Sequence, residues 1–416
     1  MASMRQEGIL ERLLWDIGRK IQLPPSKHET AERQYRAITD HIDREGSPLE
    51  GLVEVAYPSG SFAIHAAIAS RVKTEQYDVD IVVELNLSSN TSPREALNLT
   101  FKAINGEYGS RYHGKVRLHS RCVTVEYEDG VSIDIMPVVR LHEPTEKASK
   151  LFHYDRETAE EYYKDVNPYG FAKQFNDEVG GGRPVEMYRR RSAGGLLIEA
   201  EAQPLPAALP LEDKPLRVVA LQLLKRHRIV AYRRRPAALR EPPSVVQAAL
   251  ALEAGPPANS LTDEVLSVAH SVRAAISRAE SRGELLTVYN PAFLGRDEFT
   301  DRWPEDQAAQ QTYSFDLRRL IQKIDNLANR DFDPFEVKAA LEDLFGEAAA
   351  DYAINEHFSS QKKQRESGAL GVAPKGRVGA VGAALGAGTA TAVKANTNQG
   401  GEKLEDLSRT VQGDSQ

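Results

Sequence analysis

Two apolar stretches that carry carboxylates on one face do the most to limit how this chain can fold. In Tyr77–Leu85, YDVDIVVEL, strand alternation puts Asp78 and Asp80 on one side and Val79, Ile81 and Val83 on the other. In Val131–Met136, VSIDIM, Ser132 and Asp134 share a face, with Val131, Ile133 and Ile135 behind them. Carboxylates in such apolar strands repel one another and lose hydration unless a cation or a solvent-filled cleft meets them. An Asp-x-Asp pair by itself is common on a solvated sheet edge, but here the anomaly repeats on a second strand. If the two strands are neighbours in one sheet, Asp78, Asp80 and Asp134 can converge.

A tight turn precedes them. Val53–Tyr57 reads as a strand, broken by Pro58-Ser59-Gly60 and followed by the small-residue run AIHAAIA, which suits a helix start. Gly60 can accept backbone conformations closed to other residues. Ser61 offers a hydroxyl and an amide at the start of a helix whose dipole favours anions. A lone Gly-Ser says little; placed before the three carboxylates, it completes a turn able to hold a triphosphate. The aspartates are candidate ligands for two magnesium ions, with manganese as the substitute, because hard cations prefer carboxylate oxygen.

The 416 residues allow two ordinary domains and some unpacked chain. Residues 1–215 read as a sheet-containing core preceded by two helices, over about Glu7–Lys20 and Ser26–Ile42. A crossing follows that holds Gly180-Gly181-Gly182, Arg189–Arg191 and the proline-rich QPLPAALPLEDKP. Residues 216–362 read as an almost entirely helical domain, and 363–416 as a disordered tail rich in Gly and Ala. The formal charge of −7 gives no general attraction to polyanions, and one cysteine, Cys122, leaves no intrachain disulfide and no multi-cysteine zinc site. A reduced, cytoplasmic setting is expected. The N-terminus lacks the apolar run of a signal peptide, and Val378–Val393 is short for a membrane span, so no membrane partner is expected; its GxxxG at Gly382 and Gly386 is weak alone.

In the helical half, Lys225 stands in LQLLKRHRIV with Arg226 and Arg228. A solvated basic face and a phosphate ligand reaching across a cleft are equal readings of it. Ser244 in EPPSVVQAAL reads as a helix cap. The runs Arg189–Arg191 and Arg233–Arg235 lack interleaved aromatics and read as solvated loop charge rather than a nucleic-acid surface.

Taken together these residues resemble a known family. GSFAIHAAI followed by YDVDIVVEL is similar to the Gly-Ser turn and metal-binding DxD of the bacterial cGAS/DncV-like nucleotidyltransferases of CBASS antiphage defence, and SIDIMPV resembles the strand carrying their third acidic ligand. DVNPYGFAKQF, LQLLKRHR with PPSVV, LTVYNPAFLGRDEFTDRW and the late LFGE extend the likeness from about Ser26 to Phe358.

The resemblance implies an α+β fold, a polymerase-β-like nucleotidyltransferase core with a mixed sheet joined to a C-terminal helical domain, with the active site in the cleft between them. It implies Asp78, Asp80 and Asp134 as metal ligands, and Gly60, Ser61, Lys225 and Ser244 around the triphosphate. The implied activity joins ribonucleoside triphosphates into a cyclic di- or trinucleotide with release of pyrophosphate. A downstream effector would be reached through that product, and a regulatory protein or one conjugating the C-terminus is the implied protein partner. DNA activation is not expected, since the zinc-bearing insertion of the animal relatives has no counterpart here. The chain departs from the family at His65-Ala66, where a Gly-Thr often continues the turn; His65 reads as a packing or surface residue rather than a catalyst. Asn167 and Tyr169 are placed near the cleft. Two other readings share these residues: a template-independent RNA or tRNA nucleotidyltransferase, and a non-catalytic nucleotide-binding scaffold.

Overall fold

The computed structural model describes residues 3–69, 77–88, 90–180, 203–329, 333–366, 370–373 and 377–380. Residues 1–358 form one compact unit and 359–416 a second.

The first unit opens with α1 (Ser3–Ile21) and α2 (Pro25–Ile42), then β1 (Val53–Pro58), the single turn α3 (Gly60–Ala63), β2 (Tyr77–Leu85), α4 (Pro93–Asn105), β3 (Val116–Leu118), β4 (Val123–Glu126), β5 (Val131–Arg140), β6 (Ser149–Tyr154), β7 (Glu161–Val166) and α5 (Pro168–Val179). One seven-stranded mixed sheet results, in the order β1-β2-β5-β4-β3, with β6 pairing the far end of β5 and β7 pairing β6. Among the described strands, only β2 and β5 pair in parallel. Their apolar face, Val79, Ile81, Val83, Val131, Ile133 and Ile135, is buried against Tyr35, Ile38 and Ile42 of α2 and Ala103 and Ile104 of α4. Each such side chain contributes about 1.5–3 kcal/mol on burial. That one-sided core fixes the strands so that the aspartate face is the open one.

Among the described residues six α-helices follow: α6 (Leu216–Tyr232), α7 (Ser244–Leu252), α8 (Leu261–Ser281), α9 (Gln307–Asn329), α10 (Pro334–Phe345) and α11 (Glu347–Glu366). Between α8 and α9 the chain is irregular, an interruption in a half expected to be almost entirely helical. A second core gathers α6, α8 and α9, and α1 belongs to it: Leu10, Leu13, Leu14, Ile17 and Ile21 pack with Val218, Leu221, Val265, Val272 and Leu317. The first helix in sequence thus closes the helical half.

In the second unit, β8 (Leu370–Ala373) and β9 (Arg377–Ala380) pair antiparallel, inside the tail read as disordered. The rest of that tail, including Gly382 and Gly386, and the Arg189–Arg191 run lie outside the described residues. No helix of the described residues is long and apolar enough to cross a membrane.

The AIHAAIA run does not continue a helix. α3 ends after four residues and His65 takes a left-handed backbone, φ +55°, so a helix-dipole argument for anion binding at Ser61 falls away. The chain from His65 to Ala67 is instead held by contacts of its carbonyls with α6.

Candidate active site

Parallel pairing of β2 with β5 sets Asp80 directly beside Asp134 and Asp78 beside Ser132. These are the positions that alternation had placed on one face. Each outer carboxylate is held by a neighbouring hydroxyl: Ser132 donates to Asp78 Oδ1, and Thr124 of β4 donates to Asp134 Oδ1 at 2.5 Å. In these rotamers the oxygens are not yet gathered: among the described residues no three of His, Cys, Asp and Glu are arranged as a ligand set. To share a cation, Asp78 and Asp134 would have to turn from their hydroxyls toward Asp80.

The charge they concentrate shows in their protonation. Burial, followed by the neighbouring carboxylates of Asp134 and Asp78, pushes Asp80 up to about 7, with Lys225 and the Ser61 amide opposing. Asp134 is also raised, by burial first, with the Thr124 hydroxyl opposing and Asp78 reinforcing. Two buried carboxylates whose ionisation is disfavoured, Asp80 and Asp134, beside the further carboxylate oxygens of Asp78, are a donor set that fits magnesium or manganese.

The turn fits against Asp80. The Ser59 amide donates to the Asp80 carbonyl at 2.8 Å, and Gly60 has φ +56°. A Cβ on Gly60 would lie 2.8 Å from Asp80 Cγ and 3.1 Å from its Cβ. Glycine is required here by this contact as well as by its backbone.

Opposite stands α6. Lys225 is buried rather than on a solvated face, and so are Arg226 and Arg228. Lys225 Nζ donates to the Ala66 carbonyl at 2.9 Å, which uses one of its three donors. Burial first, then Arg228, pushes it down to about 7, against Asp80 and Asp78. Ser244 is the first residue of α7 rather than its cap, which is Pro243 with no side-chain bond; its Oγ accepts from Arg228 Nη1 at 3.0 Å. Arg228, which sequence reading left in the basic run, also donates to the Pro242 carbonyl at 2.7 Å and so fixes α7 against α6.

Gly60, Ser61, Asp78, Asp80, Asp134, Lys225 and Ser244 all line one cleft of about 840 Å³. Asn167 and Tyr169 do not; Val166, Pro168 and Phe171 line it in their stead. Asn167 is buried as the cap of α5, accepting from the Gly170 amide at 2.8 Å, while its own amide donates to Asp297 at 3.0 Å. Of the basic run, Arg235 is engaged rather than solvated, gripping Asp316 with two bonds of 2.6 Å, whereas Arg234 is exposed and pairs at the surface with Asp343 at 2.7 Å. Sequence reading also missed Thr124 and Arg121. The latter reaches Asp301 at 2.5 Å and Tyr162 at 2.9 Å on the cleft wall.

Comparison with known proteins agrees with this architecture. Residues 10–178 match the Second Messenger Oligonucleotide or Dinucleotide Synthetase domain. Over 402 residues the chain is 33% identical to the cyclic dinucleotide synthase CdnG of Bradyrhizobium diazoefficiens, covering 94% of each chain. The chain belongs to the CD-NTase family. As a CD-NTase it is a nucleotidyltransferase with the α+β fold expected. The structure of CdnG in complex with GTP matches with a TM-score of 0.67 and 31% identity over 83% of this chain and 98% of that one. The Escherichia coli MS115-1 CdnC structure with ATP matches at a TM-score of 0.54 and 14% identity, covering 80% and 96%, a likeness of fold alone.

Proposed function

We propose that this CD-NTase joins ribonucleoside triphosphates into a cyclic di- or trinucleotide, releasing pyrophosphate at each bond. The observation that carries the reading is the in-register pairing of Asp80 with Asp134 on the floor of a cleft that Lys225 faces from α6. Guanosine triphosphate is one substrate on this reading, by likeness to CdnG.

Asp78, Asp80 and Asp134 would hold the divalent ions, magnesium or manganese. When bound, such ions neutralise phosphate charge and lower the pKa of an attacking hydroxyl. Lys225 and Ser61 bind the triphosphate, with two Lys225 donors still available beyond Ala66. Arg228 holds Ser244 at the same wall and leaves its hydroxyl proton free to donate. The reading further includes a cytoplasmic role in CBASS antiphage defence, an effector switched by the product, and a regulatory or C-terminal-conjugating partner. We also place the functional division of the chain near residue 215, with the core before it and the helical lid after it.

The test is a pair of measurements. The Asp78→Asn, Asp80→Asn double variant is expected to keep its circular dichroism and lose pyrophosphate release; unchanged turnover would sink the assignment. Products from the four labelled ribonucleotides should resist exonuclease and match ring masses, whereas a digestible linear polymer would favour the template-independent polymerase.

A further inference from the structure

The irregular segment between α8 and α9 carries an open strand edge. From Leu285 to Asn290 burial alternates: Leu286, Val288 and Asn290 are buried, while Leu285, Thr287 and Tyr289 are exposed. Backbone pairing alternates with it. The Leu286 amide donates to Gln310 Oε1 at 2.6 Å, the Val288 amide to Thr300 Oγ1 at 2.9 Å, and the Asn290 amide to the Asp297 carbonyl at 2.8 Å. The Val288 carbonyl accepts from the Phe299 amide at 2.8 Å, which makes Tyr289 the antiparallel bridge partner of Glu298. Both alternations have the strand period of two, so the segment is paired along one side. On the other side the amides and carbonyls of Leu285, Thr287 and Tyr289 have no hydrogen-bond partner among the described residues.

That edge borders a groove of about 480 Å³, walled opposite by α5, α7 and α8, which shares no lining residue with the catalytic cleft. We propose that the edge and groove are the docking site of an extended peptide segment of a partner protein, in which apolar side chains alternate with basic ones.

The backbone of the occupant follows from the edge. In an antiparallel pair, alternate residues exchange both of their hydrogen bonds with the facing strand, and Leu285, Thr287 and Tyr289 offer both at that spacing. Adding a strand to such an edge is a common mode of peptide recognition. Proteins blunt edges they leave uncovered with charge or proline. Leu285–Tyr289, LLTVY, has neither and is rich in strand-forming residues.

The side chains follow from the groove. Leu250, Ala275 and Ala279 are buried in its floor, and the two alanines leave room for aliphatic side chains of an added strand, every second one of which points down. Tyr289 and Leu294 stand at its rim, 39% and 75% exposed, large apolar surface for the occupant to cover. The charge left over is acidic. Arg278 is paired with Glu253 at 3.4 Å and Arg282 with Glu284 at 2.6 Å, whereas Glu178 takes only a hydrogen bond from Gln174 at 2.6 Å. A further depression of about 370 Å³ shares Gln174 and Glu178 with the groove and adds exposed Glu146, while its Lys173 is paired with Asp177 at 2.8 Å. Lysine or arginine in the occupant complements Glu146 and Glu178.

The experiment uses the full chain and a fluorescein-labelled heptapeptide that alternates valine with lysine, followed by fluorescence anisotropy. The peptide is expected to bind, and its counterpart with glutamate for lysine to bind at least about tenfold more weakly. Two N-methylated versions separate backbone pairing from side-chain contact. Only one set of alternate amides faces the edge, so methylating that set should cost about tenfold or more and methylating the other about threefold or less. Thr287→Pro removes one edge amide and should weaken binding about three- to tenfold, with Leu285→Pro as a second variant and thermal melting as the check on folding. Should neither proline variant fold, the methylated peptides decide. Absence of binding, equal losses from the two methylation patterns, full affinity in folded proline variants, or equal binding of the glutamate peptide overturns the proposal. Sedimentation is expected to show a monomer. A dimer that Thr287→Pro dissociates would give the edge to a second copy of this chain and refute the partner peptide. None of these measurements uses turnover, so their outcome is independent of the nucleotide-joining reading.

Discussion

Replacing Gly60 with alanine tests how the turn and the carboxylates depend on each other. At φ +56° an L-residue loses roughly 1–2 kcal/mol. The new Cβ would lie 2.8 Å from Asp80 Cγ and 3.1 Å from Asp80 Cβ, inside the roughly 3.5–4.0 Å of normal carbon contact. The strand cannot retreat, because the Ser59 amide is bonded to the Asp80 carbonyl at 2.8 Å and β2 lies between β1 and β5. Relief must come from rotating the Asp80 side chain, at about 0.5–1.5 kcal/mol for an off-rotamer angle. The sum is about 1.5–3.5 kcal/mol of stability. A carboxylate displaced by about 1 Å can lower turnover about 100-fold, or ~2.7 kcal/mol in the barrier. The assay is pyrophosphate release alongside thermal melting, with Gly51→Ala as the control. Gly51 has φ +68° but nothing within 4 Å of an added Cβ, so it should lose only the backbone share and keep full activity. If Gly60→Ala retains turnover within about threefold and melts like Gly51→Ala, the Asp80 contact is not what positions the site.

Three further outcomes follow from the same geometry. Asp80 has a folded pKa of about 7, above its unfolded value, so wild type loses stability as pH rises from about 4 through 7; melting in EDTA should show Asp80→Asn gaining on wild type across that window, and a constant difference would refute it. Lys225 has the opposite sign, neutral when folded down to about 7, so stability falls between the ordinary lysine pKa and 7. Lys225→Met should melt higher than wild type near pH 7, by less near pH 10, while raising the KM for nucleotide about tenfold or more; an unaltered KM would remove Lys225 from the triphosphate site. Ser244→Ala takes one acceptor from buried Arg228 and should lower stability by about 1 kcal/mol, with Ser244→Thr restoring it; chemical denaturation giving equal losses for both would refute the bond at 3.0 Å.

Much of the sheet was readable because its signal is local. Alternation in YDVDIVVEL and VSIDIM needs only neighbouring residues, and the strands Tyr77–Leu85 and Val131–Arg140 begin where that pattern does. The AIHAAIA run failed as a helix start because helical propensity in small residues yielded to the contacts of His65, Ala66 and Ala67 with α6. The cap reading of Ser244 failed similarly, through a partner 16 positions away. Lys225 stood between a solvated face and a ligand because a helix wheel shows which side a residue occupies and not what covers that side.

The sequence by itself settled which groups are present and which face of each strand they occupy, since a period of two is a property of the backbone. Tertiary structure alone decided that Asp80 stands opposite Asp134, that Gly60 rests on Asp80, and that Lys225 shares the same segment of chain with Gln222. Those relations join residues as far apart as 159 positions, and register or burial at that range follows from how two cores close on each other.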